Sequence, residues 1–184
     1  SVGGTGKSPQ IEYLLRLLKE YKIATLSRGY KRNTKGFVLA DENATASSLG
    51  DEPFQFYSKF PNQLIAVDAD RKSGIEQLLQ LKNKPEVILL DDAFQHRRVK
   101  AGLYVLLTTY DNLFVNDFIV PFGDLRESAL GKKRAHVVIV TKCPSSISKE
   151  EQIKIENRLA VKVPVFFSKI KYDDSVYAID SEIK

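Results

Sequence analysis

The chain opens on a glycine-rich run that is followed at once by a predicted helix. The run reads Ser-Val-Gly-Gly-Thr-Gly-Lys-Ser over residues 1–8, and apolar residues recur at helical spacing after it. Glycines let successive backbone N–H groups turn toward one anion, and the start of a helix adds its positive dipole end. The pattern predicts a phosphate-binding loop, although its strict form has glycine where Ser1 stands.

Each residue type in this loop has a predicted task. Lys7 can reach the β and γ phosphates of a nucleotide, and the Ser8 hydroxyl can ligate Mg²⁺. The predicted nucleotide-binding residues are Ser1, Val2, Gly3, Gly4, Thr5, Gly6, Lys7 and Ser8. Such a loop normally follows a β-strand, and the chain contains no methionine, so we expect that residues precede Ser1 in the full protein.

Strand-like and helix-like segments alternate along the chain. Apolar runs predict strands at 23–26, 63–67, 87–90, 104–107, 137–140 and 165–167. Helical spacing predicts helices at 8–20, 72–82 and 148–160, the last with Ser148 as its N-cap. The alternation predicts an α/β, P-loop NTPase-like fold with a mostly parallel sheet and helices on both faces. Residues 1–168 would form this core, and residues 169–184 would begin a linker toward a second, smaller domain.

The strongest acidic signal follows the apolar run Val87–Leu90, which is predicted to be a strand buried on both faces. It ends in Asp91 and Asp92, at the carboxyl end of a parallel strand, where ligands of α/β sheets bind. P-loop enzymes aim an acid from such a strand at Mg²⁺. One carboxylate would meet the metal and the other a water molecule or the substrate. Gln95 and His96 follow closely and are predicted to line the site.

Two further turns carry polar residues with alternative roles. In Gly-Asp-Glu-Pro, Asp51 could cap a helix or accept the proton of an acceptor hydroxyl. Arg126 and Glu127 follow a Pro/Gly-rich loop, and this pair suits phosphate clamping and metal or substrate binding. The predicted metal ligands are Ser8, Asp91, Asp92 and Glu127.

Composition narrows the class of protein. With 28 basic and 23 acidic side chains the net charge is only +5, which does not favour a nucleic-acid-binding protein. Short basic clusters are either solvated surface or a face for anionic ligands or an anionic membrane. They are Arg28, Lys31, Arg32 and Lys35; Arg97, Arg98 and Lys100; and Lys132, Lys133 and Arg134. The single cysteine, Cys143, fits a reducing cytoplasm.

Six short motifs follow one another along the chain. They read VGGTGKSP (2–9), LSRGY (26–30), GDEP (50–53), LDDAFQH (90–96), PFGDLRE (121–127) and VTKCP (140–144). Together and in this order they resemble the tetraacyldisaccharide 4'-kinase family, the lipid A 4'-kinases of Gram-negative bacteria. That family tolerates Ser or Thr where Ser1 stands. It more often has Gly where Ala93 stands, and Gly123 and Asp124 of this chain vary its Pro/Gly-rich stretch. Neither departure removes a chemical group that the reaction needs.

The resemblance implies transfer of the γ-phosphate of ATP, with Mg²⁺, to the 4'-hydroxyl of a tetraacylated disaccharide 1-phosphate, the lipid A precursor. It implies an enzyme at the cytoplasmic face of the inner membrane, with a membrane-associated N-terminal helix and a smaller second domain. The second domain would supply a histidine paired with the base, so we expect residues 1–184 alone to be inactive. The implied site residues are Lys7 and Ser8 for the nucleotide, Asp51 as base, Asp91 and Asp92 for Mg²⁺ and the reacting groups, and Arg126 and Glu127 lining the site.

Other classes of P-loop protein remain alternatives at this point. A switch or chaperone-type ATPase would pass the γ-phosphate to water, and partition and metal-insertion ATPases carry a second lysine where Val2 stands. A GTPase would need an aspartate two residues after Lys142, where this chain has Pro144. The absence of that lysine and the presence of the Asp51 turn favour a small-molecule kinase over a switch ATPase, and Pro144 argues against a GTPase.

Overall fold

The structure is a computed structural model that describes residues 4–123, 125 and 128–171. Within them, helices and strands alternate along most of the chain. The helices are α1 (Lys7–Leu17), α2 (Ala46–Leu49), α3 (Asp51–Lys59), α4 (Arg71–Gln80) and α5 (Lys149–Leu159). The strands are β1 (Ile23–Ser27), β2 (Val38–Leu39), β3 (Leu64–Val67), β4 (Val87–Leu90), β5 (Val105–Thr109), β6 (Val137–Thr141) and β7 (Val165–Phe167). Short 3₁₀ turns occupy Phe114–Asn116 and Ala129–Arg134.

The strands form two sheets that follow one another along the chain. The first has the order β2-β3-β1-β4, and the second has the order β5-β6-β7. All strand pairs are parallel except β2 with β3, which are antiparallel. Strand pairing in the two sheets is therefore mostly parallel, as the alternation of elements predicts. The sequence did not indicate β2, because two residues are too few for a periodic pattern.

Helices cover both faces of the first sheet, as predicted. Ile11 and Leu15 of α1 pack with Phe56 of α3 in one buried cluster that includes Ile23 of β1. Leu78 of α4 belongs to another cluster, with Ala24, Leu26 and Ala66. Because successive strand residues face opposite sides, β1 supplies Ile23 to one cluster and Ala24 to the other. This packing holds the carboxyl ends of β1, β3 and β4 at a common edge.

A cavity of about 870 Å³ separates the two sheets and is lined by β4, β5 and α1. All four residues of β4 are half-buried. The expectation that Val87–Leu90 is buried on both faces is therefore wrong, because part of the strand surface faces this cavity. The same cavity reaches the predicted site, since Lys7 and Asp92 also line it.

The other differences concern element ends and short helices. The first helix ends at Leu17 rather than near residue 20, whereas α5 starts after Ser148, whose side chain accepts a hydrogen bond from Glu151 N at 3.1 Å as predicted. The helices α2 and α3 went unpredicted because they are short and meet at Gly50. The boundary near residue 168 stays a prediction, since residues 172–184 lie outside the described part. None of the described helices is long and apolar enough to span a bilayer.

Candidate functional site

The glycine-rich loop enters α1 through two left-handed backbone positions. Gly4 has φ 70° and Gly6, the N-cap of α1, has φ 81°. Glycine adopts these angles without a steric penalty, which explains the residue type at both positions. The Thr141 hydroxyl donates to the Thr5 carbonyl at 2.9 Å and so fastens the loop to the end of β6. Residues Ser1, Val2 and Gly3 lie outside the described part of the chain.

Lys7 and Asp92 face each other at the centre of the site. The Lys7 Nζ lies 3.7 Å from Asp92 Oδ1, and their side chains keep 24% and 32% of their accessible surface. Asp92 has φ 48°, a left-handed conformation that is uncommon for a residue other than glycine and tends to occur at functional sites. The structure thus brings the helix-start lysine and the strand-end acid together, as P-loop chemistry requires.

Asp91 points into a more enclosed environment than Asp92. It is 6% exposed, and the Ser27 hydroxyl donates to its Oδ2 at 3.4 Å. Burial raises the pKa of Asp91 to about 6, and the nearby charges of Glu52 and Asp92 add to this effect. Lys7 and the guanidinium of Arg71 oppose the shift. Three carboxylates therefore crowd one end of β4, and a cation there would relieve their repulsion.

Glu52 is a site residue that the sequence reasoning missed. The Ser8 hydroxyl donates to Glu52 Oε1 at 2.5 Å, across 44 positions of sequence. Glu52 lies in the first turn of α3, where acids are favoured by the helix dipole. The available signal was its position beside Asp51 in the Gly-Asp-Glu-Pro motif.

Asp51 is the first residue of α3 and is exposed. The N-cap position belongs to Gly50, and no side-chain hydrogen bond caps this helix, so the capping alternative for Asp51 is wrong. Gly50 has φ 93°, and a Cβ there would lie 2.9 Å from the Tyr30 carbonyl oxygen. The close approach of the backbone at Gly50 therefore helps to position the first turn of α3, which carries Asp51 and Glu52. The role of Asp51 as a base stays a prediction.

Gln95 and His96 line the same cavity as Lys7 and Asp92. Burial lowers the pKa of His96, and the positive charges of Arg71 and Arg28 lower it further. The imidazole is therefore neutral at neutral pH and can accept as well as donate a hydrogen bond. Its backbone N–H donates to Ala93 O at 2.9 Å, which closes the turn after Asp92.

The described residues offer oxygen ligands for Mg²⁺ but no complete cage. No group of three or more His, Cys, Asp or Glu side chains in the described ranges could hold a metal ion. Mg²⁺ usually keeps several waters and takes one or two carboxylates plus phosphate oxygens, so Ser8, Asp91 and Asp92 fit its preferences. Predicted site residues Arg126 and Glu127 lie outside the described residues.

These features define a P-loop nucleotide-binding protein: a glycine loop that opens a helix, a lysine at its start, and a parallel strand ending in two acids. The sequence model of the tetraacyldisaccharide-1-phosphate 4'-kinase family (LpxK) matches residues 1–179. The chain belongs to this family, and the resemblance that its six motifs indicated is confirmed.

Similar proteins support the assignment. The tetraacyldisaccharide 4'-kinases of Flavobacterium psychrophilum and Flavobacterium johnsoniae are 61% and 59% identical to this chain, over 100% of it and 55% of their own length. The crystal structure of "apo" form LpxK from Aquifex aeolicus in complex with ATP matches with a TM-score of 0.70 and 26% identity. That match covers 98% of this chain and 72% of the other. The chain spans about half the length of the curated relatives it matches.

Proposed function

We propose that the full-length protein transfers the γ-phosphate of ATP to the 4'-hydroxyl of a tetraacyldisaccharide 1-phosphate, the lipid A precursor. The observation that carries this proposal is the meeting of Lys7 Nζ with Asp92 Oδ1 at 3.7 Å beside the glycine loop. This contact puts a lysine that can bind phosphate beside an acid that can ligate Mg²⁺. The family assignment and the names of the relatives support the choice of donor and acceptor.

The glycine loop and Lys7 would bind the nucleotide phosphates. The left-handed glycines Gly4 and Gly6 and the positive end of α1 suit the binding of an anion, and Lys7 would add a full charge. Ser8, Asp91 and Asp92, with Glu127, would hold Mg²⁺, which neutralises charge on the β and γ phosphates when bound. Lys7, whose Nζ lies 3.7 Å from Asp92 Oδ1, would contact the transferred phosphoryl group.

A carboxylate has to accept the proton of the acceptor hydroxyl. The hydroxyl oxygen bonds to the γ-phosphorus, the bond from that phosphorus to the bridging oxygen breaks, and ADP leaves. Asp51 remains the proposed base, because its exposed position at the start of α3 leaves it accessible to an acceptor. Glu52 already accepts the hydrogen bond of Ser8, so in this proposal it positions the nucleotide end of the site.

The acylated acceptor calls for a membrane surface, and we place the protein at the cytoplasmic face of the inner membrane. An apolar loop at Phe118–Phe122 supports this placement. Phe118 and Phe122 keep 69% and 88% of their surface exposed, and Ile119 and Val120 are about half-exposed at 49% and 50%. Contiguous exposed apolar side chains of this kind mark interaction or membrane sites. In the sequence this loop precedes Arg126 and Glu127, which are predicted to line the active site.

Phosphate transfer to a panel of acceptors tests the proposed function. The full-length protein is incubated with γ-labelled ATP, Mg²⁺ and either the tetraacyldisaccharide 1-phosphate, a simple sugar or no acceptor. We expect label on the lipid disaccharide and very little released phosphate. Label found only in inorganic phosphate, at the same rate without acceptor, would instead identify a switch-type ATPase and overturn the kinase proposal.

A further inference from the structure

The turn after the two strand-end acids is held by an arginine from a distant part of the chain. Residues 93–104 lead from Asp92, just after β4, to the start of β5. Arg134 Nη2 donates to the backbone carbonyl of Phe94 at 3.0 Å, across 40 positions of sequence. The guanidinium carbon also lies 4.7 Å from the centre of the Phe94 ring, within the range of a cation–π contact. Arg134 therefore holds both the backbone and the side chain of the second residue after Asp92.

Arg134 itself is attached to the second sheet. It is the last residue of the 3₁₀ turn Ala129–Arg134, and the buried Ala135 and strand β6 follow it directly. Lys132 of the same turn donates to the Leu159 carbonyl, at the end of α5, at 2.7 Å. Arg134 thus connects the framework of the second sheet to the acids at the end of a strand of the first sheet.

A second contact holds the middle of the same turn. The Tyr104 hydroxyl donates to the Val99 carbonyl at 3.2 Å. The Tyr104 ring also stands edge-on to the Phe94 ring, with the ring centres 6.0 Å apart. Phe94 in turn packs against the buried cluster of the second sheet. Gln95 and His96 lie between the two held points and line the site cavity.

The conformation of Asp92 gives this attachment a consequence for the site. Its φ of 48° lies in the left-handed region, which costs free energy for residues other than glycine and persists where the surroundings impose it. Its Oδ1 lies 3.7 Å from Lys7 Nζ, so a rotation of the Asp92 backbone would move the carboxylate away from the lysine. Contacts that fix Phe94, two residues further on, oppose that rotation.

We propose that Arg134 is a positioning residue for phosphoryl transfer: by holding Phe94 it keeps the turn after β4 in the conformation that sets Asp92 opposite Lys7. The inference rests on the proposed function. It also separates the members of the basic cluster at residues 132–134, for which the sequence allowed solvated surface or a face for anionic ligands. Lys132 and Arg134 make contacts within the protein, whereas Lys133 is exposed.

The test compares the full-length wild type with Arg134→Ala, Arg134→Lys and Lys133→Ala. Lys133→Ala is the matched control, because it removes the same charge from the exposed neighbouring position. Arg134→Lys keeps the charge but not the planar group that can stack on a ring while it donates a hydrogen bond. Phosphate transfer to the tetraacyldisaccharide 1-phosphate and backbone amide hydrogen exchange without nucleotide are measured on each protein. Thermal unfolding sets an assay temperature at which every variant is folded.

Arg134→Ala should lower kcat by about 10- to 100-fold, because a small displacement of a catalytic group has effects of this size. Its KM for ATP should stay near the wild-type value, since the glycine loop is fastened through Thr141 and not through this turn. Amide exchange should become faster in residues 93–99 and stay unchanged in α1 and α4, as expected of local opening. Arg134→Lys should show a smaller loss of kcat, and Lys133→Ala should match the wild type in every measurement.

Four results would overturn the positioning role. They are wild-type kcat in Arg134→Ala, equal losses in Arg134→Ala and Lys133→Ala, a lower kcat with unchanged exchange at residues 93–99, and faster exchange throughout the protein. Equal losses would identify the cluster as an anion-binding surface, and general exchange would indicate a loss of global stability. If Arg134→Ala does not fold, Arg134→Lys is judged by the same criteria. Failure of the wild type to transfer phosphate is a different result that overturns the proposed function, and the exchange measurement would still show whether Arg134 holds the turn.

Discussion

The Ser8 hydroxyl donates a hydrogen bond to Glu52 Oε1 over 2.5 Å, which ties the start of α1 to the start of α3. The same glutamate is near enough to Asp91 to raise its pKa. Glu52 thus links the predicted metal ligand of the glycine loop to the acids at the end of β4. Its neighbour Asp51 makes no such contact among the described residues, so the two adjacent carboxylates have separable roles.

Substitution of these two acids tests that separation in the full-length protein. Asp51→Ala should lower kcat by about 10²-fold or more while ATP affinity is kept, because a proton acceptor is lost. Its stability should fall by at most about 1 kcal/mol, since only a dipole interaction is removed. Glu52→Gln should instead weaken ATP binding through Ser8. A fully active Asp51→Ala protein would rule out Asp51 as the base, though not the kinase reaction.

Lys7→Ala should reduce turnover by about 10²-fold or more, because a preorganised charge at the transferred phosphoryl group is worth several kcal/mol. The fold should survive, since Lys7 is partly exposed at the start of α1. Lys19→Ala, an exposed lysine just beyond the same helix, is the control and should retain wild-type kinetics. Phosphate transfer and thermal unfolding are measured on both variants. Near-normal turnover of Lys7→Ala would remove the glycine loop from the mechanism.

Asp91→Asn and Asp92→Asn should each depress Mg²⁺-dependent turnover by about 10²-fold, since a neutral amide is a poor ligand for a hard cation. Neither variant should unfold, because both residues lie at a strand end and the amide keeps the side-chain volume. Turnover of both variants is measured as a function of Mg²⁺ concentration. The variant that needs more Mg²⁺ has lost the closer metal ligand. Wild-type kinetics in both variants would contradict the assignment of these acids.

The raised pKa of Asp91, about 6 against an ordinary 3.8, also predicts a pH effect on stability. The folded state holds this proton more tightly than the unfolded state, so the free energy of unfolding falls as pH rises between about 4 and 6. Above pH 6 the charged, buried carboxylate destabilises the fold by at most about 3 kcal/mol. Asp91→Asn should lack this component. Thermal unfolding of both proteins without Mg²⁺ at pH 5 and pH 8 checks it, and an identical pH dependence would contradict it.

Gly50→Ala should destabilise the protein by about 1–3 kcal/mol, because φ is 93° there and the new Cβ would press on the Tyr30 carbonyl. Activity should fall as well, since α3 and its acids start at the next residue. Gly102→Ala is the matched control, because a Cβ at that position meets nothing within 4 Å and the residue has no positive φ. Thermal unfolding and turnover of the two variants are compared. Equal stability would mean that the loop at Gly50 adjusts freely.

Much of the fold and part of the site follow from local patterns in the chain. Continuous apolar runs mark β1 and β3–β7 because a strand in a covered parallel sheet is apolar throughout. The spacing of Ile11 and Leu15 marks α1, and Ser148 marks the start of α5. The glycine loop, Lys7 and the acids after β4 could be recognised because each role needs a particular residue type at a short, fixed spacing.

The contacts between these segments were decided by the tertiary structure. The link from Ser8 to Glu52 and the bond from Thr141 to Thr5 join residues far apart in sequence. The order of the first sheet, with β1 between β3 and β4, likewise joins strands that are far apart in the chain. No local pattern encodes that order, because it results from the mutual packing of faces buried against α1, α3 and α4.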